Sequence, residues 1–230
     1  MLGRFFKKKI EKSRAKEKPE TLEFFSPLRI GLHSTINVTS VDLIGLADVS
    51  HPQFNFPIAP LTVVAIGQIK NDDDTIWRIY GVDTDETPYI IQFVESYDPR
   101  GGGNDVADMM LFRQTNKYEP LSQTEWNSVP EQLGAEQYEL DGLTYDRIWG
   151  KEIEGKIDLF VFEETVVERK GKSDVKCHQM LFGRSVENVL LYINDVEFLL
   201  VGVEENLSEE QDTIITQVGY SIPATAIKVQ

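Results

Sequence analysis

Short β-forming runs joined by turns of a few polar residues are the feature that most limits the folds open to this chain. Leu61–Ile69, Thr75–Val82 and Pro88–Val94 are separated by Asn71-Asp72-Asp73-Asp74 and Asp83-Thr84-Asp85-Glu86, residues that suit tight turns. In the middle run Ile76, Arg78 and Tyr80 alternate with Trp77, Ile79 and Gly81, which predicts a strand with one greasier face. Connections this short favour antiparallel neighbours, because parallel pairing needs a crossover of a dozen residues or more. The 12 Phe and 8 Tyr supply bulky residues that pack well on a pleated surface.

The second half repeats the texture. Gln137–Leu140 and Leu143–Trp149 flank Asp141-Gly142, a preferred hairpin pair. Ile157–Arg169 and Val175–Val186 flank the polar run 170–174, and Val189–Ile193 and Val196–Val203 flank Asn194-Asp195. Thr213–Ile222 ends the series, after an acidic loop at Asn206–Asp212. Met109–Gln114 reads equally as a strand or a short helix. Ser122-Gln123-Thr124-Glu125 forms a capping box ahead of Trp126, Val129 and Leu133, predicting a short helix that Pro130 is expected to end early. The expected architecture is mainly β, with antiparallel sheets from meanders and hairpins and one or two short helices. Its expected divisions are a tail at 1–20, a β-rich half at 21–118, a helical connector at 119–134 and an antiparallel β half at 135–230.

Charge divides the chain unevenly. Residues 1–18 hold eight basic and two acidic side chains, a balance of +6, while the remainder holds fifteen basic and thirty-six acidic, a balance of −21. A body this acidic repels phosphate backbones, so nucleic-acid binding by the folded part is not expected. In the tail, Leu2, Phe5, Phe6 and Ile10 recur near helical spacing among Arg4, Lys7, Lys8 and Lys9. Two readings stand: a reversible contact with anionic lipid or an acidic partner, and a solvated segment. Met1 to Lys18 has no apolar core of a secretory signal, and no later run has the length of a membrane span. With one cysteine, Cys177, the chain makes no internal disulfide. The expected setting is cytoplasmic, peripheral to the inner membrane.

Catalytic, cofactor and metal motifs are not found. Gly101-Gly102-Gly103 is followed by Asn104-Asp105 where a phosphate loop needs Lys and Ser or Thr. The acidic turns lack the alternate ligand spacing of a calcium loop. His33, His51 and His178 lie far apart, and Cys177 and His178, adjacent on a strand, must face opposite ways. The pairs Glu163-Glu164 and Glu204-Glu205 are split between faces for the same reason, and exposure on a solvated face is their ordinary explanation.

The segment Gly134–Trp149, the stretch Cys177-His178-Gln179-Met180-Leu181-Phe182 and the stretch Glu197–Glu205 resemble the YjfK-like family of uncharacterised bacterial proteins. Leu28–Gly31 and the meander from Ile66 to Tyr80 look like that family's first half, which leaves the basic tail outside the resemblance. The resemblance carries no catalytic residue. It implies, through gene neighbours that look like membrane-stress proteins and ATP-grasp ligases, an accessory protein at the inner face of the cell membrane. Tyr145, Arg147 and Trp149 are a candidate ligand face, or a packing ladder. The leading functional expectation is a non-catalytic adaptor with a protein partner. The alternatives are a binder of, or enzyme acting on, a small cation such as a polyamine, and a structural subunit of an oligomer.

Overall fold

The computed structural model describes residues 26–39, 45–71, 74–98, 103–120, 122–189, 193–206 and 211–230. The candidate contact residues Leu2 to Ile10 lie outside them. The expected antiparallel β architecture is present. The strands are β1 (Thr35–Val38), β2 (Leu61–Lys70), β3 (Asp74–Val82), β4 (Pro88–Asp98), β5 (Gly103–Tyr118), β6 (Gln137–Leu140), β7 (Leu143–Arg147), β8 (Phe160–Glu168), β9 (Gly171–Asn188), β10 (Ile193–Asn206), β11 (Gln211–Ser221) and β12 (Ile227–Val229). Helix α1 spans Gln123–Leu133, and a 3₁₀ turn spans Ala224–Ala226.

Eight of these strands close on themselves. The ring runs β2-β3-β4-β5-β11-β10-β9-β8 and returns to β2, every pair antiparallel. The β2–β8 and β5–β11 ladders join residues of the 21–118 stretch to residues of the 135–230 stretch, so both contribute to one barrel. Two strands are shared with side sheets. β2 pairs β8 through Ala65–Ile69 and β1 through Leu61-Thr62. β9 pairs β8 up to Gln179 and then β7 at Phe182-Gly183.

Most local expectations hold, with some differences. Met109–Gln114, open between strand and short helix in the sequence, lies inside β5 and is strand. The β8–β9 turn is tighter than the polar run suggests, residues 169–170, because Ser173 and Asp174 pair with Val166 and Thr165. Asn194 and Asp195 belong to β10 rather than to a turn. Fourteen successive β9–β10 pairs, Ile193–Asn188 to Asn206–Val175, outweigh the local turn preference of two residues. The Asp141-Gly142 hairpin forms as expected, with φ of 51° and 79°. Helix α1 starts at the predicted cap, the Glu125 N–H donating to Ser122 Oγ at 3.2 Å. It continues through Pro130 to Leu133, where burial of Val129 and Leu133 offsets the bond the proline removes.

The two faces of the barrel wall have different tasks. Outward-facing Ile66, Ile79, Ile91, Phe93, Leu111, Leu199, Val201 and Phe182 form the main core with residues from the covering segments: Ile30, Leu46 and Phe54, then Val129 and Leu133 of α1, and Tyr145 of β7. The inward face is narrower and more polar. Space there is made by glycine: a Cβ on Gly67 would overlap the Glu164 carboxylate, and one on Gly202 would overlap the Gln179 side chain. Gly67→Val is therefore expected to destabilise the fold by about 1–3 kcal/mol, the usual cost of overpacking. A lowered urea midpoint at unchanged slope is the signature, and an unchanged midpoint would mean that the barrel interior has slack at this position.

Candidate functional site

Two buried carboxylates organise the polar side chains of the fold, and they do different work. Glu197, on the outward face of β10, is fully buried. Its Oε1 accepts from the Tyr145 hydroxyl at 2.8 Å and Arg184 Nε at 2.6 Å. Its Oε2 accepts from the Tyr220 hydroxyl at 2.7 Å and the His51 backbone N–H at 2.6 Å. Arg184 continues to the Val49 carbonyl, and Ser50 Oγ lies 2.6 Å from Tyr220 Oη. Four donors leave this carboxylate no free capacity in which to hold a ligand. It fastens the segment 46–56 to the barrel. Burial raises Tyr145 and Tyr220 well above the ordinary tyrosine range, Glu197 adding to both, so each stays a neutral donor.

The candidate ligand face is divided by this arrangement. Tyr145 and Arg147 share a face of β7 and are both buried, while Trp149 lies beyond the end of that strand. Arg147 donates to the carbonyls of Gly134 at 3.0 Å, Gly155 at 2.7 Å, Gly150 at 3.3 Å and Ile153, tying down the loop 148–157. Trp149 stacks edge-on against Phe160 and Phe162, with ring centroids 5.4 and 5.7 Å away. The acidic turn at 83–86 serves itself: Asp83 Oδ1 accepts from the N–H groups of Asp85 and Thr87, each at 2.9 Å. Among the described residues no group of three His, Cys, Asp or Glu side chains is placed to share a metal ion.

The second carboxylate, Glu164, faces into the barrel. Arg78 Nη1 donates to its Oε2 at 2.9 Å and the Tyr80 hydroxyl to its Oε1 at 2.7 Å, with the Cys177 thiol 3.7 Å from Oε2. Arg78 also donates from Nε to Gln92 Oε1 at 2.9 Å and from Nη2 to Gln179 Oε1 at 2.7 Å. Burial works against the Arg78 guanidinium, but Glu164 together with Tyr80, Cys177 and Glu204 outweighs it, and its pKa rises above the ordinary arginine value. Burial, with Glu164 adding, lifts Tyr80 well above the usual range. Burial also raises the Cys177 thiol, against the pull of Arg78, so the thiol stays protonated. Beside this network lies an apolar cluster of Ile90, Phe112, Leu181 and Leu200.

Above both, at the end that carries the β3–β4 and β8–β9 turns, the barrel opens into a cavity of about 310 Å³. All eight ring strands line it. Its floor includes Tyr80, Ile90 and Glu164, and its polar wall groups are Gln114, Lys117, Glu168, Ser173, Glu204, Thr213 and Gln217. Among the described residues none of those seven side chains has a hydrogen-bond or ion-pair partner. Gln217 is 3% exposed and Thr213 9%. Burial raises Glu204, the like charge of Glu164 adding and Arg78 and Lys117 opposing. The floor is thus satisfied from within the protein and the wall is not.

Of the sequence candidates, Cys177 and His178 do face opposite ways, Cys177 into the barrel and His178 outward beside Glu205 at 2.9 Å. The two glutamate pairs split as expected, but Glu164 and Glu204, their inward members, are the ones that matter. Sequence reasoning gave Arg78, Gln179 and Gln217 no place in a site. The alternation of Arg78 and Tyr80 with Trp77 and Ile79 was the available signal for one polar inward face. The Arg78–Glu164 pair predicts an asymmetric response to mutation. Arg78→Met is expected to cost about 3–5 kcal/mol, because it leaves Glu164 buried without its counter-charge. Adding Glu164→Leu should return part of that loss in chemical unfolding. A single variant as stable as the double would mean that the guanidinium is not compensating a buried charge.

In comparison with known families, a model described as "Protein of unknown function (DUF2491)" matches residues 1–228. It takes in the basic tail that the sequence resemblance leaves out. No curated protein and no solved structure matches the chain. With nearly its whole length matched, the chain belongs to the DUF2491 family of proteins of unknown function.

Proposed function

We propose that this chain is a small-molecule-binding barrel whose ligand sits in the cavity above Glu164. The observation that carries the reading is the contrast between floor and wall. Arg78, Tyr80, Gln92, Glu164 and Gln179 are bonded to one another, whereas Gln114, Ser173, Glu204, Thr213 and Gln217 line the cavity with no protein partner. Polar groups that converge on a concave space without protein partners suit a ligand. The volume is at the small end of ligand pockets and equals about ten waters at liquid density. No catalytic role is assigned to any residue.

Thermal-shift screening against small polar compounds should yield ligands that raise the midpoint saturably, by about 2.7 kcal/mol of stabilisation at a hundredfold excess over Kd. Val166→Trp, which fills the cavity from β8, should abolish that response. Saturable binding that survives the filled cavity would move the site elsewhere.

A second reading, an accessory protein at the inner face of a bacterial membrane, is favoured by the charge split of +6 in residues 1–18 against −21 in the remainder. The resemblance to YjfK-like proteins supports it by association, and a protein partner for the acidic body belongs to the same reading. A cluster of this size near an anionic surface contributes about 1 kcal/mol per basic residue. Full-length protein should co-sediment with anionic vesicles at low salt, and a chain starting at Glu20 should not. Equal sedimentation of the two would remove the tail as an anchor.

A further inference from the structure

We infer that the ligand of this cavity carries a protonated amine, with the Glu204 carboxylate as its counter-charge. The inference rests on the cavity being a ligand site and adds the class of ligand.

The charges around the cavity do not count equally. Glu164 and Arg78 are paired and buried, so together they present no net charge. Lys117 and Glu168 are exposed, where water and salt screen them. Glu204 is partly buried on β10, has no ion-pair partner among the described residues, and lies in the wall. It is therefore the charge a bound ligand meets least screened. An anionic ligand would meet Glu204 with one exposed lysine as compensation, whereas a cation meets a carboxylate that lacks a partner. The field of the body points the same way, since a balance of −21 concentrates cations at the surface.

The hydrogen-bonding groups also suit an amine. Thr213 stands directly opposite Glu204 in the β10–β11 ladder, so a hydroxyl oxygen and a carboxylate can share one donor-rich group. An ammonium has three donors and no acceptor, a match for that pair. Gln217 lies four residues further along β11 on the same side, about 13 Å away at strand rise. Its free carboxamide is placed for a second polar group at the far end of an elongated ligand. A bare metal ion fits less well, because no third carboxylate, His or Cys converges among the described residues.

The test uses the full chain at about 0.15 M salt, where attraction to exposed charge is largely screened beyond a Debye length. The probes are 1,4-diaminobutane and 1,5-diaminopentane, with 1,4-butanediol and succinate as neutral and anionic counterparts. Calorimetry should give saturable binding of the diamines and none of the diol or succinate. Glu204→Gln should weaken diamine binding at least tenfold, while Glu152→Gln, an exposed site remote from the cavity lining, should leave it unchanged. Affinity in the native chain should rise with pH as Glu204 loses its proton, and flatten in Glu204→Gln. The groups facing Glu204 are Glu164 of β8, Arg78 and Tyr80 of β3, Cys177 of β9 and Lys117 of β5, of which Arg78 and Tyr80 keep their protons through neutral pH. Preference for succinate or the diol, or diamine binding unchanged by Glu204→Gln, would overturn the inference. If neutral compounds bind and Val166→Trp blocks them while diamines do not bind, the cavity stands and the amine falls. If compounds of no charge class bind, both fall together.

Discussion

The ion pair between Arg78 and Glu164 sits at the seam where the barrel closes, and the polar interior is arranged around it. Arg78 belongs to β3 and Glu164 to β8, with β2 between them, so the pair spans the strand at which the two ends of the ring meet. Two charges taken out of water cost several kcal/mol each unless geometry and hydrogen bonding compensate them. Here they do: the guanidinium spends its donors on Gln92, Glu164 and Gln179, and the carboxylate takes Tyr80 on its other oxygen. Such a network contributes more to which strands meet than to net stability, since an apolar replacement of the same shape often does as well. Gly67 belongs to it as much as the charges, because β2 crosses between them and any side chain there would fill the volume the carboxylate occupies.

Glu197 solves the opposite problem on the outer face. The barrel wall alone would leave a large apolar surface, from Ile66 round to Phe182, facing water. The segment 46–56, helix α1 and the β6–β7 hairpin cover it, and Glu197 binds the first and third of these through the His51 N–H and Tyr145, while Tyr220 of β11 links it to Ser50. The residues that resembled a ligand face, Tyr145 and Arg147, are thus spent on holding cover to barrel and loop to cover. A conspicuous aromatic and arginine ladder in the sequence became structural because each polar tip found an internal partner.

That outcome marks what was legible in the sequence. Turn chemistry and alternation were local signals, and they gave the strands, the Asp141-Gly142 hairpin and the Ser122 cap. Ring closure was not local. Nothing in residues 61–69 or 160–168 taken separately announces that β2 and β8 are neighbours, since pairing is decided by the whole set of ladders. The interior was illegible for a related reason. Glu163-Glu164 and Glu204-Glu205 read as solvated charge because a strand usually has one wet face, and in a closed barrel the second face turns inward instead. Once closure is known, the alternation of Arg78 and Tyr80 with Trp77 and Ile79 assigns the polar pair to the inside. The same step turns one glutamate of each pair inward, Glu164 fully buried and Glu204 partly.

The barrel interior then has a gradient of commitment. Ile90, Phe112, Leu181 and Leu200 fill one part by packing, and Arg78, Glu164, Gln92 and Gln179 fill another by bonding. Neither part presents an unpaired charge to the cavity, since Glu164 and Arg78 are bonded to each other, so both act as a fixed base. Above them Glu204, Thr213 and Gln217 stand on β10 and β11, two strands held in register by ten successive pairs from Glu197–Tyr220 to Asn206–Gln211. Side chains carried on such a ladder lose little further backbone freedom on binding, which lowers the ordering cost that usually erodes affinity for a small ligand. The wall groups face an open cavity and none of their polar atoms is sealed from water without a partner, so a guest would exchange water for polar contact without breaking an internal bond.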